Sequence, residues 1–216
     1  MPGAEEGAGA YSPTVPRMKL GLAPKNDSEQ TLVNRLHDPG QRRKAFEEVV
    51  KRYSPQLYWQ IRKMVTWHDD ADDVLQNTFL KAWNNIERFR GEAKISTWLF
   101  KIAYNEAITF ISRRRETLSL DNELFEEESE DSSAAAFTDL LVSDAYFDGD
   151  EAQALLQAAV GQLPPKQRAV FCMKYFNETK YEEMARITGT SVGALKASYH
   201  LAVKKIEDFL RLHDTQ

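Results

Sequence analysis

The densest cluster of residues that could do chemistry is a run of four carboxylates, Asp69, Asp70, Asp72 and Asp73. Carboxylates bind Mg²⁺ and Ca²⁺, so one hypothesis is a metal-dependent enzyme. The four lie too close together at a helix start to converge on one ion, and no paired His or Glu motif accompanies them. A second acidic run at 144–150 lacks the intermediate aspartate of a magnesium motif. The sequence therefore predicts no metal, no cofactor and no catalytic residue.

The histidines and the cysteine also lack the spacing of a site. His37, His68, His200 and His213 are scattered, without ligand spacing. Cys172 lies in an apolar stretch and is interpreted as a small core residue. A single cysteine excludes a disulfide scaffold and a Cys-rich zinc module, and it suits a reducing cytosol.

The turn Thr188-Gly189-Thr190 indicates a different chemistry, the reading of DNA. It separates a short predicted helix, 181–187, from a longer one that starts near Ser191, and Gly189 permits a positive φ. Two helices joined in this way are typical of a helix-turn-helix, which places the exposed N-terminal half of its last helix in a major groove. The same spacing also occurs in plain helical bundles, so both interpretations stay open.

The elements that must position these residues are all predicted to be helices. In the first half, apolar residues recur at helical spacing over 46–65 (with Pro55 expected to bend or break that helix), 75–86 and 99–111. The second of these helices is expected to follow the acidic cluster. The third is expected to begin at a Ser96 or Thr97 cap and to end at 113–115. No strand pattern competes.

In the second half, the sequence predicts helices at 152–162 and 165–176, the second with Pro165 at its first position. Thr179 and Glu182 match a capping box for the helix at 181–187. The fold class is therefore all-α, with two small helical domains joined by an acidic flexible linker.

Charge divides the chain of 216 residues, whose net charge is −5, into four segments. We expect a disordered N-terminal tail at 1–27, a basic block of net +5 at 28–115, an acidic linker of net −11 at 116–148, and a second block of net +1 at 149–216. Because the excess acidity belongs to the linker, the overall sign does not exclude a nucleic-acid partner. No apolar run is long enough to span a bilayer and no secretion signal is evident, so we expect a cytoplasmic protein.

Two pairs of segments carry a family resemblance. Residues 69–83 (DDADDVLQNTFLKAW) and 89–115, from FRGEAKISTW to the arginine triplet, resemble region 2 of sigma-70 family transcription factors. Residues 163–171 (LPPKQRAVF) and 181–210, including SVGALK, resemble region 4. The order of the pair and the short connection between them resemble the two-domain extracytoplasmic-function (ECF) group of bacterial sigma factors.

The resemblance implies a protein that binds core RNA polymerase, at its clamp and flap, and directs it to promoters. Region 2 would open the −10 element, region 4 would read duplex DNA at the −35 element, and the linker would thread the polymerase channel. An anti-sigma factor, often membrane-anchored, is a further implied partner. The chain itself would not insert into the membrane and would not be an enzyme.

The implied sites fall on three sets of residues. Melting of DNA needs groups that capture an unstacked base and its phosphates. The residues that would contact the −10 element in this way are Arg88, Arg90, Glu92, Ala93, Lys94, Ile95, Ser96, Trp98, Lys101, Tyr104 and Asn105. Those at the −35 element would be Ser191, Gly193, Ala194, Lys196, Ala197, Ser198, His200 and Lys204. Those that bind polymerase would be Asp72, Asp73, Gln76 and Asn77.

One departure limits what can be predicted about the −35 sequence. Many members of the family carry Arg where this chain has Ser198, Leu201 and Val203. The absence of these arginines weakens direct recognition of guanine, so DNA shape is expected to contribute more of the sequence specificity. A rival interpretation is a stand-alone helix-turn-helix regulator whose first block senses or dimerises. It predicts tight duplex binding without polymerase.

Overall fold

The computed structural model describes residues 27–122 and 151–213. Within these ranges the chain forms helices and no strand, which confirms the all-α prediction. The N-terminal unit (residues 27–122) contains α1 (Asp27–His37), α2 (Arg42–Val65), α3 (His68–Asn84), a 3₁₀ turn (Ile86–Arg88) and α4 (Ile95–Asn122). The C-terminal unit (residues 151–213) contains α5 (Glu151–Gln162), α6 (Pro165–Tyr175), α7 (Tyr181–Thr188) and α8 (Val192–His213). The predicted tail, apart from Asp27, and most of the predicted linker lie outside the described residues.

In the N-terminal unit, α2, α3 and α4 pack against one another and α1 lies on α2. The apolar stripes predicted for α2 and α4 form this core, with Leu57 and Leu99 completely buried. The first helix was not predicted, yet its Leu32 and Leu36 are 1% exposed. They lie four residues apart, so both point to the same side of the helix.

Three boundaries differ from the predictions, and the helix that Pro55 was expected to bend or break is not interrupted. α3 starts at His68, so the carboxylate cluster lies within its first turns, where the helix dipole favours negative charge. α4 starts at Ile95, before the predicted caps, because Glu29 Oε1 accepts the N–H of Ile95 at 2.9 Å. α4 also continues to Asn122, into the predicted linker. α2 runs through Pro55, which lies on an exposed face of the helix.

In the C-terminal unit, α8 packs against the three helices before it. Pro165 opens α6 and Gly189 ends α7 with φ of 70°, both as predicted. The capping box is wrong. Thr179 is buried, and its N–H donates to the carbonyl of Met173 at 3.0 Å, so it belongs to the end of α6 and makes no cap for α7.

The two units are packed together, which the sequence did not predict. α6 packs on α2 and α4, and α7 packs on α4. The buried residues of both units form one continuous hydrophobic cluster. None of the described helices has the length and apolarity needed to cross a membrane.

Candidate nucleic-acid interface

An open groove of about 600 Å³ lies along the 3₁₀ turn, the loop 89–94 and the first turns of α4. The described residues that line it are Arg88, Phe89, Arg90, Glu92, Ala93, Lys94, Thr97, Trp98, Lys101 and Arg186. Most of the residues predicted to contact melted DNA are thus brought together. Five of these ten lining residues are cationic and one is anionic. A concave basic surface attracts an anionic strand.

Two aromatic rings form a wall of the groove. Phe89 and Trp98 stack with centroids 4.7 Å apart and planes 30° apart. Phe89 is buried, whereas Trp98 is half-buried. Trp98 therefore both packs against the core and has a part that remains accessible. Proteins that bind single-stranded nucleic acid stack its bases on aromatic side chains and place cationic groups beside them for the phosphates.

The loop that bears these groups is held by α1. Gly91 has φ of 72°, and a Cβ added there would lie 3.1 Å from Cγ1 of Val33. On the other side of the loop, Glu29 caps α4 through Ile95. Sequence reasoning missed Glu29 and Val33, although the spacing of Leu32, Val33 and Leu36 after Asp27 and Ser28 carried the signal of a short capped helix.

Four residues of the predicted −10 set do not line the groove. Ile95 is completely buried, so the prediction that it helps select a base is wrong. Tyr104 is half-buried and lines a small cavity between the two units, where burial raises the pKa of its hydroxyl. Ser96 is partly exposed and Asn105 is exposed, one helical turn beyond Lys101. Arg186 of α7 was not predicted, yet it lines the groove.

The helix-turn-helix of α7 and α8 presents the predicted recognition residues. The Oγ of Ser191 accepts the N–H of Ala194 at 3.3 Å and so caps α8. The exposed residues are Ser191, Gly193, Ala194, Lys196, Ala197, His200 and Lys204, and Ser198 is half-buried. Lys196 Nζ lies 5.7 Å from the centroid of the Tyr181 ring, a cation–π contact that directs this lysine.

The carboxylates at the start of α3 differ in their partners and in their exposure. Asp70 pairs with Arg114 of α4, and burial raises the pKa of Asp70 despite the opposing effect of this arginine. Asp72 is half-buried beside His68, with 3.5 Å between Oδ2 and Nε2, and Asp73 is exposed. Within residues 27–122 and 151–213, no group of three or more His, Cys, Asp or Glu is arranged to hold a metal ion.

The exposed face of α3 continues beyond the acidic residues. Asp73, Gln76 and Asn77 are exposed, and Leu80, which follows at helical spacing, is 61% exposed. Leu80 was not predicted as part of this face. An exposed leucine beside carboxylates and amides is suited to a protein partner that offers basic groups around an apolar contact.

Comparison with known proteins matches both units. Residues 49–117 match the family model described as sigma-70 region 2, and residues 153–206 match that of sigma-70 region 4. Together the two matches cover more than half of the chain. The matched ranges contain all ten residues that line the groove and the turn between α7 and α8.

Curated relatives and solved structures agree with these matches. The chain is 28% identical over 167 residues to the ECF RNA polymerase sigma factor SigW of Bacillus subtilis. That alignment covers 77% of this chain and 89% of SigW. It is 27% identical to the ECF RNA polymerase sigma-E factor of Escherichia coli, in an alignment that covers 84% of this chain and 93% of that protein. The structure of CnrH in complex with the cytosolic domain of CnrY has a TM-score of 0.56 at 22% identity and covers 86% of this chain and 99% of CnrH. The sigma factor RpoE of Bartonella quintana, solved with the anti-sigma factor NepR, has a TM-score of 0.56 at 23% identity and covers 78% of this chain and 98% of RpoE.

Proposed function

The chain belongs to the ECF group of the sigma-70 family, and from this premise we propose how its two units recognise a promoter. The chain is an RNA polymerase sigma factor that binds core polymerase and the −10 and −35 promoter elements. The observation that carries the proposal is the basic groove of the N-terminal unit, with its aromatic wall, in the same chain as the helix-turn-helix. The chain would act as an initiation factor without catalysis of its own.

The groove provides what the capture of a melted strand requires. Flipping a base out of the duplex costs a few kcal/mol. Stacking on an aromatic ring stabilises the flipped base by about 1–3 kcal/mol, which offsets that cost. Trp98, backed by Phe89, supplies the stacking surface, and Arg90 and Lys101 neutralise phosphates beside it. Glu92 and Ala93 lie at the same groove and would contribute to the choice of base.

The exposed face of α8 would bind duplex DNA at the −35 element. Lys196 and Lys204 would contact phosphates, and Ser198 and His200 would reach base edges. Because Leu201 and Val203 replace groups that could form guanidinium forks, we expect DNA shape to contribute much of the sequence preference.

The exposed face of α3 would bind the polymerase. Asp72, Asp73, Gln76 and Asn77 would meet basic groups of the clamp, and Leu80 would add an apolar contact. An anti-sigma factor is proposed as a second partner, because RpoE was solved with the anti-sigma factor NepR. We propose that the chain works in the bacterial cytoplasm, where an anti-sigma factor could hold it at the membrane.

Transcription reconstituted in vitro tests this function. Core polymerase with and without the full chain is incubated with a pool of genomic promoter fragments from the source organism, and the 5′ ends of the products are mapped. The expected result is a defined set of start sites that appears only with the chain. Absence of binding to core polymerase, together with no chain-dependent start site, would refute the proposal.

A further inference from the structure

An exposed leucine lies near the middle of α8, on the side of the helix that faces away from the core. Leu201 is 49% exposed, whereas Ala202 and Ile206 of the same helix are buried. Leu201 follows Ala197 by four residues, and Ala197 follows Gly193 by four, so these three share one side of the helix. All three are exposed. Leu201 is therefore the one large apolar group among the small residues of this side.

The charges around this leucine favour duplex DNA as its partner. Lys204 and Lys205 are exposed one turn beyond it, and residues 192–205 include no carboxylate. The first acidic residues of the helix are Glu207 and Asp208, so the non-acidic stretch is about 20 Å long at about 1.5 Å per residue. That length crosses a major groove, which is about 12 Å wide. An apolar group flanked by cations matches a groove, where thymine methyl groups lie between two phosphate backbones.

The side chains that recognise other bases by paired hydrogen bonds are absent from the same stretch. Residues 192–205 contain no Arg, Asn, Gln, Asp or Glu. Arginine is the commonest reader of guanine, Asn and Gln read adenine, and Asp or Glu accepts from cytosine. Lysine can also read guanine, but Lys196 is directed over the ring of Tyr181 on α7. Ser198 both donates and accepts, so it distinguishes bases poorly.

We propose that Leu201 is a specificity-determining residue that contacts the C5-methyl group of a thymine in the −35 element. This inference rests on the proposed function and names the base that the recognition helix selects. Thymine is the base that proteins read by apolar contact in the major groove. Gly193 and Ala197 let the helix approach the base edges, because neither carries more than a methyl group. DNA shape would act at the remaining positions.

The methyl group can be removed from the DNA without other changes to the base. Replacing thymine by 2′-deoxyuridine deletes the C5-methyl group and keeps the O4 acceptor. The experiment uses the complex of core polymerase with the full chain and a promoter whose start site has been mapped. Each thymine of its −35 element is replaced in turn, on either strand, and the affinity is measured by competition. We expect at least one replacement to weaken binding about fourfold, the effect of removing one methyl group from an apolar contact.

Leu201→Ala shows whether this effect belongs to the leucine. Alanine keeps the helix propensity of an exposed position, so the variant should fold as the wild type does, which far-UV circular dichroism checks. It should bind the unmodified promoter more weakly, and the replacement of thymine should then have no further effect. Leu212→Ala is the matched control, because Leu212 is 75% exposed on α8 but lies beyond Glu207 and Asp208. The control should retain the full sensitivity to the methyl group.

The outcomes separate this inference from the proposed function. Unchanged affinity of the wild-type complex for every deoxyuridine promoter would refute the inference, and so would a methyl effect that persists in Leu201→Ala. A −35 element that contains no A·T pair would refute it as well. In each of these cases, chain-dependent initiation by the wild type shows that the function stands. If no chain-dependent start site exists, the proposed function fails, and the inference that rests on it fails too.

Discussion

At the scale of single residues, burial separates the positions proposed to contact DNA from those that only support them. Ile95 lies in the segment expected to select bases, yet its side chain is completely buried beneath the loop. Gly193 is the opposite case, because a Cβ added there would meet no atom within 4 Å. Packing within the chain therefore does not require a glycine at 193. Its missing side chain is explained if the backbone of α8 approaches DNA at this point.

Gly193→Ala tests this explanation. The free energy of unfolding should stay the same or rise by up to about 1 kcal/mol, because alanine favours a helix more than glycine does. The affinity for a −35 duplex in the presence of core polymerase should fall, since the added methyl group would contact the DNA backbone. Urea unfolding and a competition binding assay measure the two effects, and an unchanged affinity would place Gly193 outside the DNA contact.

At the scale of elements, the sequence predicted helices wherever a long apolar stripe recurs, and α2, α4 and α8 bear this out. It missed α1, which is 11 residues long and whose buried apolar residues Leu32, Val33 and Leu36 span little more than one turn. It misplaced the start of α4 because the cap comes from Glu29, which is 66 residues away, and not from a neighbouring side chain. A long-range cap leaves no local pattern.

Glu29→Ala tests the role of this cap. The variant leaves the N–H of Ile95 without its partner, and we expect a loss of about 1 kcal/mol in the free energy of unfolding, typical of a lost helix cap. Because the loop 89–94 enters α4 at this point, initiation should weaken more than binding to core polymerase does. Gln30→Ala, at the exposed neighbouring position, is the control. Equal stability of the two variants in urea would show that the cap contributes nothing.

At the scale of the whole molecule, charge distribution was predictable and the contact between units was not. The sequence alone locates the basic block that carries the groove and the helix-turn-helix that accompanies it. It does not reveal that Arg168 donates to Met64, because the two residues are 104 positions apart and only the folded surfaces bring them together. The same reason explains why Arg186 was not expected at the groove.

The central claim is that the basic groove of the N-terminal unit opens the −10 element. It is tested most directly by the permanganate reactivity of thymines around −10 on a promoter whose start site has been mapped. Core polymerase with the wild-type chain should make these thymines reactive. The Arg90→Ala, Lys101→Ala double variant should reduce that reactivity by at least about tenfold, because it removes two phosphate contacts. A control with Lys44→Ala and Lys51→Ala, exposed positions on α2 that do not line the groove, should retain it. Full reactivity in the groove variant, with core binding intact, would contradict the claim.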